Sequence, residues 1–162
     1  MLKQSVIDVL NKQLNAELES SNIYLVMSNW CRTRGLLGAA TFFKGHADEE
    51  YQHFKKIWNH LEDNDVRPHV GVVPAVNLQV SSLKDVLEQA YEHEKLVTSL
   101  INNCVKVAQE ANDYKTFNFL QWFVDEQVEE ESLFSDVLAK FEIAGTDGIA
   151  TYYVDRDIEN LH

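Results

Sequence analysis

Residues 65–81 read Asp-Val-Arg-Pro-His-Val-Gly-Val-Val-Pro-Ala-Val-Asn-Leu-Gln-Val-Ser, and the conformation of this segment determines the architecture. It holds Pro68 and Pro74, both of the chain's prolines, and the extended-looking run Gly71-Val72-Val73. A proline inside a helix removes a backbone donor and clashes with the preceding turn, so the segment is not a helix interior. Helical periodicity ends just before it and resumes just after it. Upstream, from about Gly38 to Asn64, the buried stripe is Phe43, Ala47, Glu50, Phe54, Ile57 and Leu61. Downstream, Ser82 is an N-cap with Asp85 three residues on, and the stripe is Leu83, Leu87, Ala90, Glu94, Val97, Ile101 and Cys104. Fully extended, about 17 residues span roughly 55 to 60 Å. The helices on either side are about 40 Å long. The segment can therefore run the length of a bundle and leave its two flanking helices parallel.

Two more helices lie outside this pair. The first runs from about Ser5 to Thr33 with the stripe Ile7, Leu10, Leu14, Glu17, Ser21, Tyr24, Ser28, Cys31. The last long one runs from about Tyr114 to Ala144 with Thr116, Leu120, Phe123, Gln127, Glu130, Phe134, Val137, Phe141. Their links to the neighbouring helices, around Gly35 and around Asn112-Asp113, are short, which makes each pair an antiparallel hairpin. Four helices with one long crossover between the second and third form the ferritin-like topology, an all-α fold. After Gly145-Thr146-Asp147-Gly148 a short fifth segment, Ile149 to Leu161, is too short to stand alone and docks onto the bundle or onto neighbouring subunits. Residues 1–162 read as a single domain without repeats.

Composition narrows the function classes. The formal charge of −12 disfavours binding to a phosphate backbone and points toward cations. No apolar stretch approaches the roughly 20 residues that cross a bilayer. Met1 to Leu10 lacks the continuous apolar run of a secretory signal. Cys31 and Cys104 form no CxxC pair and suit two reduced, packed thiols. The expectation is an acidic cytoplasmic protein without nucleic-acid or membrane partners.

The chemistry lies where the apolar stripes are interrupted. Glu17, Glu50, Glu94 and Glu130 each take a stripe position near the middle of a different helix. Helices of similar length packed side by side bring their midpoints to one level, so four carboxylates converge inside the bundle. The cost of burying one such charge is several kcal/mol even after relaxation, on the order of 20 kcal/mol in the idealised limit. No stripe position carries Lys or Arg, so a bound cation or protonation must compensate. His53, three residues after Glu50, projects from the same face. Di-iron carboxylate bundles use a Glu from each of two helices and Glu-x-x-His from each of the other two. Here Glu17 and Glu94 are the lone glutamates and Glu50-x-x-His53 is one motif, while the fourth helix departs with Gln127-x-x-Glu130. Oxygen ligands with a minority of imidazole suit Fe(II), Fe(III) or Mn. Glu50, central in the set, is expected to bridge two metals, and Gln127 in place of His to loosen the second.

A second acidic feature adjoins it. Asp125 to Glu131 contains five acids in seven residues, with no Lys or Arg from Thr116 to Ala139. Glu126, Glu129 and Glu130 share a helix face, and Glu49 neighbours Glu50, which suggests a third, more exposed metal site from these four residues. His46, four residues before Glu50, reads equally as a supporting or a surface residue and is unassigned. His60, His69, His93 and His162 read as surface or structural.

The chain resembles bacterial non-haem ferritins of the H-type. The likeness is carried by Asn15-Ala16-Glu17-Leu18-Glu19-Ser20-Ser21, Glu49-Glu50-Tyr51-Gln52-His53 and Tyr91-Glu92-His93-Glu94. Phe117-Asn118-Phe119-Leu120-Gln121-Trp122 and Glu126-Gln127-x-x-Glu130 extend it, so that it covers essentially the whole chain. It implies a homo-oligomeric 24-subunit shell, ferroxidase activity with O2 or H2O2, and storage of a ferric mineral. By position it implies one iron held by Glu17, Glu50 and His53, and a second by Glu50, Glu94 and Glu130 with Gln127 nearby. It places a third iron at Glu49, Glu126, Glu129 and Glu130. Tyr24 corresponds to a tyrosine that can donate an electron, and Trp122 to an aromatic near the centre, although both residue types more often simply pack. The methionines are Met1 and Met27, and position 52 is Gln, so the haem-ligating Met of bacterioferritins has no counterpart.

Three other readings are weaker. A free-standing di-iron oxidase or peroxide reductase of the rubrerythrin type lacks its C-terminal CxxC pairs here. A DNA-coating mini-ferritin fits poorly with a charge of −12 and no Lys-rich tail. A bundle with no metal role leaves the four interior glutamates unexplained.

Overall fold

The computed structural model describes residues 1–161. Five helices follow in order: α1 (Gln4–Arg32), α2 (Leu37–Glu62), α3 (Leu83–Glu110), α4 (Tyr114–Ala144) and α5 (Gly148–Ile158). His162 lies outside the described residues. The boundaries agree with the sequence expectation to within two residues for α1 and α2, and α4 spans Tyr114–Ala144 as expected. Ser82 caps α3 reciprocally: its hydroxyl accepts the Asp85 N–H at 3.1 Å, and Asp85 accepts the Ser82 N–H at 3.0 Å.

The helix ends explain the sharp links. At the end of α1 the Leu36 N–H reaches back to the Cys31 carbonyl and Gly35 sits at φ +78°. The same closure recurs after α2, where Val66 bonds Leu61 and Asp65 takes φ 57°, and after α3, where Asp113 bonds Ala108 and Asn112 takes φ 56°. This left-handed stop satisfies orphan carbonyls and turns the chain within a few residues. Gly carries it without strain; Asp65 and Asn112 are the next most tolerant types.

Named contacts fix the helix directions. Ser21 and Ser28 of α1 donate to the carbonyls of Ala47 and Ala40 of α2, so these helices run antiparallel. Cys104 and Glu94 of α3 meet Val9 and Tyr24 of α1, again antiparallel. The second and third helices are consequently parallel. His60 meets Thr116 and His46 meets Glu130, which sets α4 antiparallel to α2. The crossover runs as a strap without a strand partner, and side-chain amides satisfy part of its backbone. Asn11 accepts from the His69 N–H, Asn15 accepts from Gly71 and donates to the His69 carbonyl (each 2.8 Å), and Gln89 donates to the Gln79 carbonyl at 3.0 Å.

The stripes expected from sequence are buried throughout α2, α3 and α4. In α1 two positions shift by one: Val6 and Met27 are buried in place of Ile7 and Ser28. Ser28 stays half-buried because its hydroxyl is bound to the Ala40 carbonyl of α2. Cys31 and Cys104 are free, buried thiols, and burial pushes both up to about 12, as expected for packing residues. The apolar interior falls into two clusters. One gathers Met27, Phe42, Phe43, Leu87, Phe134 and Phe141; the other Leu10, Leu14, Ile57, Leu61, Ile101 and Phe123.

Short α5 buries Val154 and Ile158 against the first cluster. Its Asp155 carboxylate accepts the N–H groups of Gly38 (3.3 Å) and Ala39 (2.8 Å), capping α2, whose own N-cap residue Leu36 provides no side-chain acceptor. The approach requires glycine: a Cβ at Gly38 would stand 1.9 Å from the Asp155 carbonyl oxygen. Lys140 of α4 pairs with Asp157 on the outer side. Among the described residues no helix is long and apolar enough to cross a membrane.

Candidate metal centre

A polar waist separates the two apolar clusters. Glu17, Glu50, Glu94, Gln127 and Glu130 are all buried, together with His46, His53 and Gln13. Each helix of the bundle contributes, as the interrupted stripes require. Among the described residues, the ion-pair partners of Glu17, Glu50, Glu126 and Glu130 are histidines. His53 Nδ1 lies 3.3 Å from Glu50 and 3.9 Å from Glu17, its Nε2 lies 3.9 Å from Glu126, and His46 Nε2 lies 3.3 Å from Glu130.

Two sets of three donors have ligand atoms within 4.8 Å of one another: Glu17, Glu50 and His53, and His46, Glu49 and Glu130. The first set coincides with three residues singled out from sequence. The second includes Glu49 and Glu130 but adds His46, which the sequence leaves open. Glu94 is in neither set, and donors hold both of its oxygens. The Tyr24 hydroxyl donates to Oε1, and Gln127 Nε2 donates to Oε2 at 3.0 Å and to the Glu94 carbonyl at 3.2 Å. Gln127 also reaches Thr98, which in turn donates to Glu131 at 2.6 Å. Glu126 is partly exposed beside His53, Glu129 is exposed on the neighbouring turn, and neither joins a donor set.

Burial without cationic side chains strains the electrostatics. Glu17 is raised well above the usual carboxylate range, first by burial and then by the charge of Glu50. Glu50 is raised for the same reasons, with Glu94 the leading neighbour. Glu94 is pushed up to about 7 by burial and by Glu130. Tyr24 is raised too, by burial and by Glu94. Burial pulls His46 down, but the Glu130 carboxylate more than offsets it and leaves a net rise. For the carboxyl groups burial is the largest cause and crowded negative charge the next, and a cation would relieve both. Several buried polar atoms also lack a partner, namely Glu17 Oε2, Glu50 Oε2, Glu130 Oε2 and His46 Nε2. Orphaned lone pairs clustered in a dry interior are the donor arrangement that a multivalent ion satisfies.

Around this centre the packing is aromatic. Trp122 stands edge-on to His53 at 5.3 Å between ring centres and carries the Lys56 ammonium over its outer face at 4.1 Å. Phe123 contacts His53 at 5.9 Å. Tyr24 lies 5.7 Å from His46 and 6.0 Å from His93. The remaining described histidines have structural settings. His60 bonds Thr116 and stacks on Phe119 at 3.9 Å, and His93 bonds Ser20 at 2.7 Å, with burial lowering it to about 4. His69 lies on the strap, where Asn11 and Asn15 hold its backbone.

Two waist residues are not singled out by the sequence: Gln13, which donates to Glu17 at 2.8 Å, and His46. For His46 a signal exists: it lies four residues before Glu50 and seven before His53, one heptad along the same face.

The family described as "Ferritin-like domain" matches residues 7–144. A probable bacterial non-heme ferritin-like protein of Haemophilus influenzae is 45% identical over 99% of this chain and 98% of its own length. The bacterial non-heme ferritin of Escherichia coli is 40% identical over the same shares of the two chains. Among solved structures, an open-pore ferritin from the archaeon Archaeoglobus fulgidus superposes with a TM-score of 0.96 at 31% identity, covering 100% of both chains.

Proposed function

The chain belongs to the ferritin-like family, and on that footing we propose that it stores iron, oxidising Fe(II) at the waist and passing Fe(III) to a mineral inside a homo-oligomeric shell. One observation carries the reading: all four helices bring buried carboxylates to one waist, where His53 faces Glu17 and Glu50, and three of those carboxylates have an unpartnered oxygen. Iron is the substrate here. Glu17, Glu50 and His53 hold one ion, and Glu50, Glu94 and Glu130 a second, with Glu50 shared between them. Two Fe(II) ions each give up one electron, and O2 takes both with two protons to yield H2O2. Anionic ligands favour Fe(III) over Fe(II) and so drive the loss of the electron.

The chain's own groups set the details. Gln13 orients Glu17, as Gln127 orients Glu94. Gln127 offers an amide where a second Glu-x-x-His would offer its carboxylate, and Glu130 stands where that motif would offer imidazole; the neutral amide weakens the second ion and suits a site that iron passes through. Tyr24, bonded to Glu94, sits where it can supply an electron to the centre. Similarity to bacterial and archaeal ferritins over nearly the whole chain supports a shell of 24 copies, for which gel filtration is the direct measurement.

Aerobic mixing with Fe(II), followed by absorbance of Fe(III), tests the activity. Glu17→Ala and His53→Ala should slow the initial rate at least about tenfold with the helical content intact, since even the partners of metal ligands cost 10–100-fold. Rates equal to the unsubstituted protein's would remove the assignment.

A further inference from the structure

Thr98 departs from what a helix ordinarily does with a hydroxyl. A Ser or Thr inside a helix readily donates to the carbonyl four residues back. Ser20 does so to Ala16 and Thr41 to Leu37, each at 3.0 Å. The carbonyl four residues before Thr98 is that of Glu94, and the hydroxyl does not take it. It donates instead across to α4, to Glu131 Oε1 at 2.6 Å, the length of a strong charge-assisted bond.

That choice leaves two acceptors open, and Gln127 takes both. Its Nε2 lies 3.2 Å from the Glu94 carbonyl oxygen, 3.2 Å from Thr98 Oγ1 and 3.0 Å from Glu94 Oε2. With the Thr98 hydrogen committed to Glu131, all three atoms act as acceptors. The amide therefore stands with its nitrogen toward Glu94 and its oxygen away. Packing alone does not fix it there. A cleft of about 450 Å³ between α3 and α4, walled by Ile101, Val124 and Val128, opens on Thr98, Gln127 and Glu131.

We propose that Thr98 and Glu131 are positioning residues for the second iron: Glu131 turns the Thr98 hydroxyl, and Thr98 with the freed carbonyl locks Gln127 onto the Glu94 carboxylate. This rests on the proposed iron reading and goes one step outward from its ligands. Neither residue touches the ion. Together they keep Glu94 oriented before Fe(II) arrives. They also favour its ionised form, because a hydrogen bond donated to a carboxylate stabilises the charge.

Zn(II) is the probe because it binds without turnover. In titration calorimetry on the intact assembly, the second ion is the one lost in Glu94→Gln, and the first is the one lost in His53→Ala. Thr98→Val keeps the shape and removes the hydroxyl; it should weaken the second ion about 10- to 100-fold and leave the first unchanged. Thr98→Ser should restore the affinity. Glu131→Leu should weaken the second ion as well, whereas Glu131→Gln, which loses the charge but keeps an acceptor, should retain most of the binding. Unchanged binding in Thr98→Val, equal weakening of both ions, or no recovery in Thr98→Ser would overturn the proposal and leave the iron reading standing. Equal losses in Glu131→Gln and Glu131→Leu would overturn it too, since charge rather than the bond would then be acting. Zn(II) binding unaltered by both Glu94→Gln and His53→Ala would overturn the proposal and the iron reading together.

Discussion

The layer built on Phe43, Phe134 and Leu87 and the waist built on Glu17, Glu50 and Glu94 occupy the same bundle interior, on the same helices, a few turns apart. In the first, every buried group is satisfied by contact with its neighbours, and burial itself stabilises the fold. In the second, burial raises the carboxyl groups, leaves oxygen atoms without partners and opposes folding until a cation arrives. Under the proposed function, stability and chemistry fall to separate layers. The apolar clusters hold four helices in register, and the waist uses that rigidity to keep like charges together.

Substitutions should separate the two layers by sign as well as size. The largest effect is expected from Phe134→Ala, which empties a fully buried ring and should cost about 3 to 5 kcal/mol in denaturant unfolding. A loss below about 1 kcal/mol would mean the apolar layer is not what holds the bundle. In the waist, Glu17→Gln should act the other way on the metal-free protein. It should raise thermal stability at pH 7.5, by about 1 kcal/mol or more, while reducing the stabilisation that added Fe(II) or Zn(II) gives.

Titration of the waist divides the layers further. Glu94 is raised from 4.5 to about 7, so the folded metal-free protein binds its proton more tightly than the unfolded chain does. Its favourable contribution is complete below about pH 4.5 and is lost as pH rises through 7. The stability difference between Glu94→Gln and the unsubstituted protein should grow across that window, by up to about 1.4 kcal/mol per pH unit. Thermal melts at pH 5 and 7.5 with metal chelated would show it, and a difference independent of pH would count against a buried carboxyl crowded by Glu130. A smaller effect belongs to the frame alone: Ser82→Ala should cost about 1 kcal/mol through the lost cap and leave metal binding untouched.

Most of this contrast is legible in the amino-acid sequence. Four carboxylates at stripe positions of α1, α2, α3 and α4 break a pattern of period 3.6, and such a break is visible in one chain. The crossover is legible from Pro68 and Pro74 and from simple reach. What escapes depends on which nitrogen or oxygen finds a partner. His46 and His60 sit on one helix two heptads apart and read alike as letters. Only the positions of Phe42, Thr116 and Glu130 show one to face a waist carboxylate and the other to meet a hydroxyl. The one-residue shifts at Val6 and Met27 fit the drift of a straight helix against a strict heptad. Asn15 falls within a motif of family likeness; its work on the strap, across 56 residues of chain, has no local signature.

The cap that Asp155 supplies to α2 has a temporal side. Synthesis proceeds from the N-terminus, and Gly38 leaves the ribosome 117 positions ahead of its partner. Until the last helix emerges, the first turn of α2 must rely on water for its free amides, so the corner joining α1 to α2 is completed late. A chain cut short before Asp155 would keep that corner permanently unfinished, whatever iron it could still bind.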